Sequence, residues 1–491
     1  MSEQQSSYRQ ILKASSIFGG VQIVNIIIAI IRSKFIAVLL GPSGMGIAGL
    51  LTTTSRLIGS ITNSGLGISS VKNISAANTL NDEIRISNVV SVLRRLVWIT
   101  GSLGALFTLF FSGWLSQITF GNRDYSVAFA WISITLLLNQ LSIGQLALLQ
   151  GMRKLEFLAK ANVAGSFIGL IISVPIYYIW GIEGIIPAIV ISSGLTFFFS
   201  WHFALKVKIK KTNLVADIYR VEGREMLRMG FLLSTSGWIT LGTSYILRVF
   251  LSRKGGIDQV GYYDAGFAII NTYVGLIFAA LGTDYYPRLS GVTDNHSKVI
   301  NTINQQAEVS LLILAPILTV FLIYNKIVIV ILYSANFTVI EEMIEWAALG
   351  IYFKAASWTL AYLFIAKGSA KIYFWSELIA SIYILLLNLT GYILWGLEGL
   401  GISFLIGYFI YSLQVFFLTK FKYSFNFKKE FIVIFGIQFF LGLICFGIAK
   451  LAISPLTLFT GTILIVLSSV YSYTEINKRV GMNEIYKKMF R

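Results

Sequence analysis

Long apolar runs recur along the chain, separated by short polar or charged breaks. As a helix, such a run is long enough to cross a hydrocarbon core of ~30 Å at ~1.5 Å rise per residue. The pattern predicts about fourteen transmembrane helices, with the first six at roughly 14–37, 44–70, 88–113, 126–150, 157–180 and 183–206. Six more are expected at roughly 229–252, 259–285, 306–331, 343–366, 371–395 and 398–419, then two at roughly 430–449 and 454–474.

The order of these runs repeats. "WGIEG" begins at Trp180 and "WGLEG" at Trp395, an offset of 215 residues. Shifting the first six starts by that offset nearly reproduces the next six. The turn joins the fifth and sixth helices of each copy: glycine allows the tight reversal, and tryptophan suits the headgroup level. Six is even, so both copies enter the membrane in the same sense, a parallel repeat of the kind used by transporters with a site at the midplane. The expected fold is all-α and polytopic: two pseudo-symmetric six-helix bundles plus a C-terminal helix pair. The expected divisions are a bundle at 1–206, a cytoplasmic amphipathic link at 207–228, a bundle at 229–420, and a helix pair with a basic tail at 421–491. The link suits either a helix on the membrane surface or a solvated tether.

Composition agrees. The chain of 491 residues is 56% hydrophobic and 12% charged, about half the charge of a soluble globule. The N-terminus shows no short apolar core followed by a small-residue cleavage site, so no signal peptide is expected. One cysteine, Cys445, excludes an intrachain disulfide.

Charge sets the orientation. Of 39 Lys and Arg, Arg123, Arg253, Lys254, Lys326 and Lys450 fall in one set of loops, and Arg32, Lys34, Arg56, Arg248 and Lys354 lie within spans. The rest cluster at the other set, which places both termini and the link in the cytoplasm by the positive-inside rule. The net charge of +17 thus reflects loops facing anionic headgroups rather than nucleic acid.

Each of the five basic residues within spans costs about 2.5–3.5 kcal/mol at a helix centre facing lipid. Arg56 and Lys354 lie near mid-span and are expected to line a wet cavity. Arg32, Lys34 and Arg248 lie nearer the outer helix ends and either line it or snorkel. The first copy has no acid at depth, whereas Asp264, Glu345 and Glu377 lie inside spans of the second and are candidate coupling or cavity acids. A cationic cavity suits an anion, with phosphate or pyrophosphate the obvious membrane-associated choice. Tyr262, Tyr263, Tyr273, Tyr352, Trp358 and Tyr362 suit sugar rings or ordinary packing.

Other signals fail. "GMGIAG" at 44–49 fits a dinucleotide pattern but has no preceding strand, so its glycines are read as helix-packing residues. No Gly-Lys pair offers a Walker A motif, and His202 and His296 have no clustered partners, so no cofactor, metal or catalytic residue is expected.

Several stretches carry a family resemblance. "KFIAVLLGPSGMGIAGL", "NSGLGISSVKNIS", "SYILRVFLSRKGGIDQVGYYDAGFAIINTYVG", "TDYYPRLS" and "ANFTVIEEMIEWAALGIYFKAASWTLAYLFIAKGSAKIYFWSE" resemble, in order, stretches of the Wzx-type O-antigen and enterobacterial-common-antigen lipid translocases. Those polysaccharide flippases belong to the superfamily that includes the multidrug and toxin extruders and the lipid II flippase. The chain departs from that pattern in its tail, since members often stop at twelve helices, and in carrying Ile351 and Tyr352 where an acid is common.

The resemblance implies translocation of an undecaprenyl-pyrophosphate-linked oligosaccharide across the bacterial inner membrane by alternating access, with no enzymatic step. It also implies membrane lipids and, as possible partners, a glycan polymerase and a chain-length regulator. Competing readings are an organic-cation antiporter of the same fold, a membrane glycan polymerase and a membrane scaffold. The antiporter would want an embedded acid, absent from the first copy; the polymerase would want a sizeable outer loop.

Single cysteines at Gly181 and Gly396, in a Cys445→Ser background, are expected to react with impermeant label outside intact cells. Labelling of either only from the cytoplasmic side overturns the topology and the repeat together.

Overall fold

The computed structural model describes residues 3–209, 216–451 and 455–480. Among them there is no strand. Fifteen α-helices follow one another: α1 (Glu3–Asn63), α2 (Leu66–Thr79), α3 (Glu83–Phe110), α4 (Ser112–Phe120), α5 (Ser126–Gly151), α6 (Leu155–Trp180), α7 (Ile185–Leu205) and α8 (Ala216–Gly255). Then come α9 (Ile257–Ala268), α10 (Gly275–Ser290), α11 (His296–Leu332), α12 (Glu341–Ala366), α13 (Ala370–Tyr423), α14 (Lys429–Ala449) and α15 (Pro455–Val480). Helix is the solution lipid imposes, because every backbone N–H and C=O must be satisfied within the segment.

Ten of the described helical stretches are long and apolar enough to span a membrane. Three of them are interrupted at a positive-φ glycine, α1 at Gly41, the Leu155–Leu205 stretch at Gly181 and α13 at Gly396, and α11 is kinked at Tyr324. Gly181 has φ 55° and ψ −134°, and Gly396 has φ 59° and ψ −137°. The two reversals expected from the repeated turn therefore adopt one backbone conformation, in a region where a side chain is strained. The stretch read as the seventh span, roughly 229–252, is not among the ten. Ser234, Thr235, Ser236, Thr240, Thr243 and Ser244 dilute its hydropathy, and it runs without a break from the helix start at Ala216. Lys210 and Lys211 of the expected link and Lys487, Lys488 and Arg491 of the tail lie outside the described residues.

By packing, the chain separates into two units, Met1–Gly261 and Tyr262–Arg491. The boundary expected from the sequence falls earlier, at 207–228. The difference is α8, which is held to the first unit along its length. Trp238 Nε1 donates to the Ser60 carbonyl at 2.9 Å, the Tyr245 and Thr119 hydroxyls meet at 2.9 Å, and Arg253 donates to the Ile118 carbonyl at 2.7 Å.

In the first unit α5 packs against α3 and α7, α6 against α7 and α1. A closed apolar core at one end gathers Leu66, Ile74, Val89, Leu93, Leu148 and Leu149. In the second unit, the C-terminal pair is fastened to α11–α13 at both ends. Lys450 lies 3.0, 3.5 and 3.6 Å from Glu342, Glu345 and Glu398, and Arg479 lies 2.7 Å from Glu308. Lys450 follows α14, where three carboxylates outweigh the desolvation of its ammonium and hold its pKa above the usual lysine value.

The start of α9 packs within the first unit against the segment that follows Gly41. A Cβ at Gly46 would come 2.2 Å from the Ile257 carbonyl, and one at Gly261 would come 2.0 Å from the Pro42 carbonyl. Residues 42 and 46 are one repeat offset from 257 and 261, so the contact is reciprocal. Between them the Ser43 hydroxyl donates to Asp258, at the same separation of 215 residues. Cysteines paired at Ser43 and Asp258, in a Cys445→Ala background, are expected to cross-link within one molecule on mild oxidation, and Gly46→Val to lower the yield several-fold. No cross-link with the glycines intact refutes the contact.

Candidate functional site

Each unit carries a cavity of its own with charged and polar side chains in its lining. The first, of about 680 Å³, lies in Met1–Gly261. It is bounded by both segments of α1 and by α5, α6 and α7, with Leu241 of α8. Thr52, Ser55, Arg56 and Ser60 of α1 follow helical spacing, as do Asn139 and Ser142 of α5 and Ser192 and Thr196 of α7. None of the residues lining it is acidic.

Many hydroxyls here bond their own helices. Thr52, Ser55, Thr135 and Thr196 donate to the Ala48, Leu51, Ile132 and Ser192 carbonyls at 2.6–2.9 Å. The strong donors in the cavity are therefore Arg32 and Arg56. Arg32 Nη2 lies 3.5 Å from the Ser166 carbonyl, and its Nε is buried without a hydrogen-bond partner. Gly169 packs beside Ser192 and Arg32: a Cβ there would come 3.3 Å from Ser192 Oγ and 3.4 Å from the Arg32 guanidinium. Two guanidinium forks in a cavity free of carboxylates can hold a bidentate anion such as pyrophosphate.

The second cavity, of about 560 Å³, lies in Tyr262–Arg491. Lys354, Ser357, Trp358 and Ala361 of α12 face Tyr286 of α10 and Tyr373, Glu377, Tyr408 and Tyr411 of α13. Lys354 Nζ is 3.0 Å from Asn271 Oδ1 and 5.1 Å from the centroid of Tyr408. Tyr411 donates to Glu377 Oε1.

The two cavities occupy equivalent places in the repeat. Asn139, Ser142, Ile143, Leu146, Ser193 and Thr196 line the first; one offset on, Lys354, Ser357, Trp358, Ala361, Tyr408 and Tyr411 line the second. Arg56 of the first corresponds to Asn271, the partner of Lys354. A cation and an amide have exchanged places between the copies.

The eight residues singled out from sequence divide evenly. Arg32 and Arg56 line the first cavity, Lys354 and Glu377 the second. Lys34, Arg248, Asp264 and Glu345 line neither. Arg248 donates to the Ser244 carbonyl of its own helix at 3.1 Å. Glu345 sits at the end of α12, 2.9 Å from Asn325 Nδ2 and within ion-pair reach of Lys450. Of the aromatics named, Trp358 and Tyr362 line the second cavity, whereas Tyr262 packs on Phe337, and Tyr263 and Tyr352 are buried. The Tyr273 side chain lies outside those described. Sequence reasoning passed over Asn139, Gln140, Ser192 and Thr196. The signal was present: "LNQLSIGQ" places amides in mid-span, but only full charges were weighed.

Residues 35–342 match the polysaccharide biosynthesis protein family. The chain belongs to that family. Among curated relatives of this polysaccharide biosynthesis protein, the Lipid III flippase of Escherichia coli (strain K12) is 25% identical over 388 residues, 74% of this chain and 87% of the relative. A putative O-antigen transporter of Shigella flexneri is 24% identical over 358 residues, 70% and 82% of the two chains. Among solved structures, the lipid II flippase MurJ in an inward closed conformation aligns with a TM-score of 0.70 at 12% identity, over 96% of this chain and 99% of that one. A multidrug resistance MATE family transporter, inward-facing, aligns with a TM-score of 0.68 at 15% identity, over 82% and 94%. The polysaccharide biosynthesis family member described here is thus an all-α, multi-pass membrane protein with the fold shared by those transporters.

Calorimetry with inorganic pyrophosphate tests the first cavity. Arg32→Ala and Arg56→Ala are each expected to weaken binding roughly 10- to 100-fold, the range for one hydrogen bond to a charged group. Gly169→Leu should match Arg32→Ala, while Lys34→Ala and Arg248→Ala should bind as wild type. Equal losses in all five variants refute a localised site.

Proposed function

We propose that this protein is a flippase that carries an undecaprenyl-pyrophosphate-linked oligosaccharide across the bacterial cytoplasmic membrane by alternating access. The observation that carries the reading is the first cavity: two arginines, no lining carboxylate and about 680 Å³ of space within apolar helices. A diphosphate placed there exchanges hydration for charge-assisted hydrogen bonds. At an effective dielectric near 20, each opposite-charge contact at about 4 Å is worth about 4 kcal/mol before desolvation. The polyprenyl chain, being apolar, stays in lipid while the headgroup crosses. The flippase and transporter names of the relatives, neither of them enzymes, support the same reading.

Both termini and the link preceding α8 lie on the cytoplasmic side in this reading, following the distribution of lysine and arginine. The glycan polymerase and chain-length regulator of the same assembly line are the natural partners, since one consumes what a flippase delivers. Glu377 is the candidate coupling acid, as the one carboxylate among the residues lining the two cavities.

Purified protein in liposomes should bind short-chain polyprenyl-pyrophosphate sugars, with affinity falling as salt rises. Ethidium should bind weakly. Arg56→Glu should weaken the first interaction more than Arg56→Ala does, because repulsion adds to lost attraction. Tight ethidium binding, with drug resistance tracking expression while glycan display does not, replaces this reading with the cation antiporter.

A further inference from the structure

We infer that the cavity of the second unit is a carbohydrate site that takes the uncharged sugar rings of the cargo directly. This rests on the flippase reading for the identity of the cargo, but its evidence is separate. Six of the eleven residues lining the cavity are aromatic: Tyr286, Trp358, Tyr362, Tyr373, Tyr408 and Tyr411. The equivalent places in the first cavity hold the non-aromatic Ile143, Ser193 and Thr196 where this one has Trp358, Tyr408 and Tyr411. Aromatic walls have thus been built onto a cavity present in both copies.

The charges decide what the walls are for. Lys354 and Glu377 line the same space, and neither forms an ion pair among the described residues. An anion would meet Glu377, and an organic cation would meet Lys354, each at close quarters in a low dielectric. A neutral polyol meets neither penalty. It offers hydroxyls that donate to the carboxylate and accept from the ammonium, and C–H faces that lie on aromatic rings. A volume of about 560 Å³ falls within the roughly 300–1,000 Å³ of small-molecule pockets.

Ordinary core packing explains the neighbours but not the lining. Tyr285, buried behind the wall, is satisfied by the Thr359 carbonyl at 2.7 Å. The wall itself is set by a close approach: a Cβ at Gly282 would come 3.1 Å from Tyr362 Oη and 3.3 Å from the Trp358 ring. Trp358 and Tyr362 stand at 66° to one another with centroids 5.1 Å apart, which turns one face and one edge toward each other.

The test uses the phosphate-free repeat-unit oligosaccharide released by mild hydrolysis from the surface glycan of cells that express the protein. Its binding to the purified full chain is read from tryptophan fluorescence and, in parallel, by calorimetry. Saturable binding is expected, with a fluorescence component absent in Trp358→Phe and little change in affinity as salt rises. Glu377→Gln should weaken binding about tenfold, the loss of a hydrogen bond to a charged group, and Gly282→Val should weaken it by a similar factor. Arg56→Ala should leave it unchanged while weakening pyrophosphate binding roughly 10- to 100-fold. Pyrophosphate binding without oligosaccharide binding overturns the carbohydrate site and leaves the flippase reading standing. Failure of both ligands overturns the two together. Oligosaccharide binding that survives in Glu377→Gln and Gly282→Val at full affinity also overturns the assignment, by placing the sugar elsewhere.

Discussion

A charged side chain cannot stand in hydrocarbon without water, a counter-charge or its own backbone to receive it, and this constraint organises the interior of both units. At about 2.5–3.5 kcal/mol for each charge facing lipid, a handful of uncompensated residues would cancel the stability of an ordinary domain. Arg56 meets the requirement by lining a cavity, and Arg32 by the same cavity together with the Ser166 carbonyl. Arg248 meets it on its own helix, at Ser244. Lys450 and Arg479, at the ends of their helices, pair with carboxylates instead and clamp the C-terminal helix pair. The cavities are thus the places where charge at depth meets open space rather than lipid, which is why they are the places to look for chemistry.

The repeat explains how two such places arose and why they differ. The same reversal at Gly181 and Gly396, and the reciprocal approach of Gly46 and Gly261, show one backbone plan used twice. On that plan side chains diverged. Arg56 with Asn139 in one copy becomes Asn271 with Lys354 in the other, so each copy keeps a cation and an amide at matched positions. Around them, Ile143, Ser193 and Thr196 in one copy give way to the rings of Trp358, Tyr408 and Tyr411 in the other. Size and ring chemistry can change in this way without disturbing the helices, because a cavity wall has no partner across it to clash with.

Much of the fold was legible from residues alone. Run length, the repeated Trp-Gly-x-Glu-Gly turn and basic loops report on local physics: hydrocarbon thickness, glycine's access to positive φ and the headgroup potential. The site was half legible. Arg32, Arg56, Lys354 and Glu377 betrayed themselves by cost, since a charge at depth demands an explanation. Asn139, Ser192 and Thr196 did not, because neutral hydroxyls and amides cost far less at depth than a full charge, and a hydroxyl such as that of Thr196 bonds back to its own turn. Asp264 and Glu345 drew attention for the same reason as Glu377 and line neither cavity; Glu345 lies within ion-pair reach of Lys450, more than a hundred residues away.

By itself, then, the sequence determined the all-α membrane class, most of the apolar helices and the repeated turn, because each depends on residues close together along one helix or on a periodicity that survives without a partner. Tertiary structure alone decided that α8 packs with the first unit, that Arg248 hydrogen-bonds to the Ser244 carbonyl and lines neither cavity, and that Trp358, Tyr408 and Tyr411 face one space with Lys354 and Glu377. Those facts depend on which helix faces meet. Helix faces in lipid are chosen by shape, small residues and hydrogen bonds rather than by hydrophobic contrast, so an apolar run does not announce which of its sides will be turned inward.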